Sequence, residues 1–190
     1  MGNFYVNFSV KGADPRKVAD ALGRAGRRAI VTPVQSGFVV AYEKEADTQA
    51  TRPIVEVGAM LSRELDRTVL AVLNHDDDVL FYWLFAEGEL ADSYNSDPDA
   101  FKEEEGTPPL GSGDAARLCG LLRAGADAAA VEAALRGNFV FATERHERLA
   151  ELLNLPAWSV GFGYEYVDDG ELEGEMDVEQ LIHVGGDRPG

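Results

Sequence analysis

The stretch TVLAVLNHDDDVLFYWLFAEGELADSYN, residues 68–95, decides the fold. Thr68 to Leu73 and Val79 to Phe85 are apolar almost without interruption, so both faces of these two strands must be covered and they belong inside a sheet. A third strand, Leu90 to Tyr94, follows the pair Glu87-Gly88, where glycine accepts the positive φ that a tight hairpin demands. Three consecutive antiparallel strands result. The turn between the first two carries the densest polar cluster of the stretch, His75, Asp76, Asp77 and Asp78.

Upstream, Phe4, Val6, Phe8 and Val10 alternate with polar or amphipathic residues, the period of a half-buried strand. Asp14-Pro15 then supplies an N-cap and a first-turn proline for a helix whose Val18, Ala21, Leu22 and Ala25 recur at helical spacing until Gly26. Two β-rich runs, Arg28 to Val34 and Phe38 to Tyr42, flank the turn Gln35-Ser36-Gly37. A second helix carries Ile54, Val57, Leu61 and Leu65, with Thr51 as its expected cap and Pro53 in its first turn. Residues 3–73 therefore read βαββαβ, the pattern of a ferredoxin-like sheet with both helices on one face. The meander of residues 79–94 extends that sheet past its fourth strand and relieves an exposed edge.

Residues 97–113 are an acidic, Pro/Gly-rich connection without periodicity, which Phe101 is expected to pin locally. Asp114 and Asp127 are expected to cap two short helices, and Thr143 to begin a third that Pro156 ends. Trp158, Val160, Phe162, Tyr164 and Tyr166 then alternate with Ser159, Gly161, Gly163 and Glu165, which predicts a strand paired in a hairpin with residues 180–184. The fold class is α+β: an extended ferredoxin-like antiparallel sheet domain over residues 1–96 and a packed C-terminal helical and β-hairpin region over residues 114–190.

The formal net charge is −17. Residues 1–73 hold ten Lys and Arg against eight Asp and Glu, so the remainder holds seven against twenty-six and carries the acidity. Phosphate backbones are repelled by such a surface, which argues against nucleic acid as a partner. A single cysteine, Cys119, precludes an intrachain disulfide and a cysteine-based zinc site. No apolar run reaches membrane-spanning length and the N-terminus lacks a leader pattern, so the expected location is cytoplasmic, without membrane association. No GxSxG, P-loop or GxGxxG motif supports serine-nucleophile or nucleotide chemistry.

LNHDDDVLFYWLFAEGELADSYNS and LPAWSVGFGYEYV together resemble the pattern of an uncharacterised bacterial protein family with no established activity. The resemblance implies no site residues.

Two candidate sites stand out. His75, Asp76, Asp77 and Asp78 offer an imidazole and three carboxylates that a divalent metal would use if they converged, with Asp92, Asp97, Asp99 and residues 103–105 as further oxygen donors. Their spacing fits neither an EF-hand nor HExxH, and Asp in such a turn ordinarily bonds its own backbone. Residues 168–179 hold seven acidic residues and no basic one. Asp169, Glu171, Glu173 and Glu175 are the expected steering charges for a basic protein partner, with Tyr164 and Tyr166 as anchors. His146, amid TERHER, is expected on a solvated surface. The function expected is a non-enzymatic acidic protein-binding module of inhibitor or immunity type, without cofactor or catalytic residues. The alternatives are a metal-dependent hydrolase or metal-binding protein using residues 75–78, and a small-molecule sensor. An uncovered sheet face would also encourage a homodimer.

Overall fold

The computed structural model describes residues 2–99 and 107–186. Phe101 and residues 103–105 lie outside them. Seven strands form one antiparallel sheet: β1 (Tyr5–Lys11), β2 (Ala29–Val31), β3 (Phe38–Glu43), β4 (Val69–His75), β5 (Val79–Ala86), β6 (Glu89–Asn95) and β7 (Ile182–Val184). Their order across the sheet is β6-β5-β4-β1-β3-β2-β7. The expected meander is present, with Val72 opposite Tyr82 and Tyr82 opposite Tyr94.

Helices α1 (Pro15–Arg24) and α2 (Thr51–Leu65) cover one face. Their Val18, Leu22, Ile54, Val57 and Leu61 share a core with Val6, Phe8, Trp83 and Phe85. Asp14 caps α1 as its sequence position requires, its Oδ1 accepting from the amides of Arg16 and Lys17. Thr51 is instead the first residue of α2, and Ala50 stands at the cap without a side-chain bond.

Helices α3 (Ala115–Leu122), α4 (Ala128–Arg136) and α5 (Ala142–Leu153) cover the other face over β4 and β5. Asp114 and Asp127 cap the first two. Strand alternation places Trp83 against α2 and Tyr82 against the second helical layer, and both are buried. No helix of the described residues is long and apolar enough to cross a membrane.

The C-terminal β-hairpin is the part of the expectation that fails. Residues 157–168 form a 3₁₀ turn, a loop and the short helix α6 (Tyr164–Asp168). Sheet side chains satisfy this segment's backbone: Asn7 Nδ2 donates to the carbonyls of Ser159 (2.7 Å) and Phe162 (3.0 Å), and the Tyr42 hydroxyl to that of Trp158 (2.6 Å). With its carbonyls so engaged, the segment needs no ladder. β7 pairs with β2 instead, His183 opposite Ile30.

Candidate functional site

The acidic segment is built on a third apolar cluster, on the sheet face away from α1 and α2. Ile30, Val40 and Tyr42 of the sheet meet Trp158, Tyr164, Val167 and Leu172 there, with Met176 and Leu181 packed around them. Leu172 is completely buried. Asp168, Asp169, Glu171, Glu173, Glu175, Asp177 and Glu179 are all exposed. The backbone between them closes in successive turns, Glu171 N bonding Tyr166 O (2.9 Å), Glu173 N bonding Gly170 O (3.0 Å) and Glu175 N bonding Leu172 O (3.1 Å). Gly170 (φ 88°) and Gly174 (φ 96°) supply the left-handed conformations these turns need. Leu172 and Met176 thus point inward while the acids point out, and the charge is displayed on a tethered strap.

Asp169, Glu171, Glu173 and Glu175 are exposed on that strap. The two tyrosines do not stand beside them as exposed anchors. Tyr164 is 3% exposed, a core residue with the Lys44 ammonium 5.7 Å from its ring centre, and Tyr166 is half-buried against the second helical layer. Their place at the start of a helix, rather than on a strand, turns both rings inward.

At the other polar cluster, His75, Asp76, Asp77 and Asp78 diverge. Asp77 Oδ1 accepts from the amide (2.8 Å) and hydroxyl (2.6 Å) of Thr143 at the start of α5, while its own amide donates to Asn3 O (3.1 Å) and its carbonyl accepts from Ala142 N (2.7 Å). Asp77 therefore caps a helix sixty-six residues away in the chain. His75 Nδ1 bonds Gln49 Oε1 at 2.6 Å, its ring meeting Phe4 edge-on. Asp76 and Asp78 are exposed. Among the described residues no group of three or more His, Cys, Asp or Glu side chains is placed to hold a metal ion.

Several buried polar groups have no counterpart in the sequence reading. His146 is 2% exposed, which corrects its expected place in solvent. Its Nδ1 is hydrogen-bonded to the Tyr5 hydroxyl at 2.8 Å, and its Nε2 is buried without a partner among the described residues. Burial pushes its pKa down from 6.5 to about 3, so the ring is neutral. The helical spacing held the signal: His146 shares the stripe of Ala142, Leu149, Ala150 and Leu153. Glu43 is fully buried, its Oε2 accepting from Ala46 N (2.7 Å) and its Oε1 lying 4.0 Å from Arg27 Nη1. Asp47 ties β1 to α6, Oδ1 accepting from Val6 N (3.2 Å) and Oδ2 from Glu165 N (3.0 Å). Burial raises both carboxyl pKa values. These groups are consumed in holding elements together. Between the sheet and α3–α5, the gap lined by Leu80, Leu118, Leu149 and His146 is apolar and too small for an organic ligand.

Comparison of the chain with protein-family models, with curated proteins and with solved structures finds no match.

Proposed function

We propose that this chain is a non-enzymatic binding module that captures a basic protein through its acidic strap, in the manner of an inhibitor or immunity protein. One observation carries the reading: Leu172 is buried in the middle of the acidic run, so seven like charges are held on a packed support rather than on a free tail. Preorganised charge of one sign speeds encounter with an opposite surface and selects against acidic competitors. Like-charge repulsion within the strap opposes folding, and a basic partner relieves it. The ferredoxin-like reading of the sheet belongs to the same proposal, supported by the central order β4-β1-β3-β2 with α1 and α2 on one face. In this reading the fold is a rigid platform, and its buried polar residues fasten the platform.

The test is capture at low salt with the native protein and with the variant carrying Asp169→Asn, Glu171→Gln, Glu173→Gln and Glu175→Gln. Basic proteins retained by the native chain and lost by the variant, with affinity falling steeply as salt rises, support the proposal. Equal capture by both would sink it.

A further inference from the structure

The two edges of the sheet are treated differently by the chain. Beyond β6, residues 111–113 run alongside the edge, Asn95 N donating to Gly111 O (3.1 Å) and Gly113 N to Ser93 O (3.0 Å), with a bridge between Tyr94 and Ser112. That edge is closed. Among the described residues, no further strand stands beyond β7 and no backbone hydrogen bond joins Ile182, His183 or Val184 to another segment past it. An open edge is a row of unpaired donors and acceptors ready to template another strand.

The surroundings of this edge differ on its two sides. Ile182 and Val184 face the core beneath α1, and a groove runs there between β7 and the Ala19, Asp20, Gly23 and Arg24 flank of that helix. Gly23 lets β7 approach that helix closely, Val184 Cγ1 lying 3.6 Å from where a Cβ at Gly23 would stand, and Arg24 is paired with Glu64 at 3.0 Å. His183 is exposed, and its cross-strand partner Ile30 packs beneath the acidic strap, so His183 faces the strap side. The strap also leads straight into β7: Asp177 and Glu179 precede it by a few residues.

We infer that the β7 edge is the docking line for an extended segment of the basic partner, which adds an eighth strand to the sheet. The inference rests on the proposed capture of a basic protein and names the form the captured segment takes. Its backbone pairs with β7, its small or apolar residues enter the groove beside α1, and its Lys and Arg recur at every second position on the strap side. Charge complementarity selects this occupant over a second copy of the chain, whose own β7 would bring an equally acidic strap against the first.

The probe is a capped peptide of about eight residues alternating lysine and valine, long enough for one strand. Its control is the same peptide N-methylated at every backbone amide, which keeps the charges and removes the donors. Binding is followed at low salt by titration, and its place by amide chemical shifts of the full chain. The expected result is shifts at Ile182, His183 and Val184 and a loss of about tenfold or more on N-methylation, as two or three net backbone hydrogen bonds imply. Equal binding of both peptides with shifts confined to residues 168–179 overturns the edge inference and leaves the capture reading standing. Failure of both peptides, while acid-dependent capture of a basic protein persists, overturns the edge inference alone. Loss of acid dependence in that capture removes the reading beneath it. Self-association through β7 that the peptide does not displace also overturns the inference.

Discussion

The Tyr5 hydroxyl and His146 Nδ1 are joined by a 2.8 Å hydrogen bond that links the central strand β1 to helix α5 across the sheet face. Because the ring is buried and neutral, protonating it in the folded state is costly, whereas the unfolded chain binds the proton near the ordinary value of 6.5. The stabilisation is therefore complete above pH 6.5 and is lost as pH falls toward about 3, at roughly 1.4 kcal/mol per pH unit. Glu43 and Asp47 act in the opposite sense, since their raised pKa values favour folding as acid is added. Urea unfolding of the native chain and of His146→Gln at pH 7 and pH 5 separates the contributions. The native chain should lose about 2 kcal/mol more than the variant over this interval. Parallel losses in both proteins would contradict the assignment.

Asp77 acts as a distant helix cap, and its substitutions should follow capping rules. Asp77→Ala removes acceptors from two Thr143 donors and should cost about 1–2 kcal/mol in denaturant unfolding. Asp77→Asn keeps an acceptor and tolerates the residue's φ of 60°, so it should lie much nearer the native value. Equal losses for Asn and Ala would show that charge, not geometry, governs this position.

Leu172→Ala should release the strap. Truncating a fully buried leucine costs about 3 kcal/mol when the site cannot collapse. Hydrogen exchange should report the loss as faster exchange over residues 166–180, with β4 and β5 keeping their protection. Unchanged exchange in the acidic segment would mean that its turns hold without the anchor.

Gly58→Ala tests packing against helix propensity. Alanine in a helix interior is favoured over glycine by about 1 kcal/mol. A Cβ at Gly58, however, would lie 2.3 Å from Cε2 and 2.7 Å from Cδ2 of the buried Phe85. Overpacking should win, leaving the variant about 1–3 kcal/mol less stable by thermal or urea unfolding. A more stable variant would show that α2 can slide away from β5.

Legibility in the sequence followed how local each cause was. Asp14, Asp114 and Asp127 cap their helices from adjacent positions, and each cap stands where the sequence places it. Residues 158–166 misled because their alternation does not match their burial: Ser159 and Gly163, expected on the outer face, are buried, while Val160, Phe162 and Tyr166 are only half-buried. Here the inward groups pack on a loop and a short helix, with Asn7 and Tyr42 supplying the hydrogen bonds a strand would have needed. Gly163 had a tertiary reason as well, since a Cβ there would lie 2.3 Å from Asp47 Oδ1. The exposure of the acidic residues was legible from composition, while the burial of Leu172 among them was not.

By itself the sequence determined the meander, the helices on both sides of it, and the concentration of negative charge after residue 73, because strand period, helix period and capping act between neighbours. Only the tertiary structure decided that β7 returns to β2, that Asp77 serves α5, that His146 is buried, and that the acidic run is tethered. Each of these depends on partners from 66 to 155 residues away or on burial by other elements, and no local periodicity specifies such a pairing.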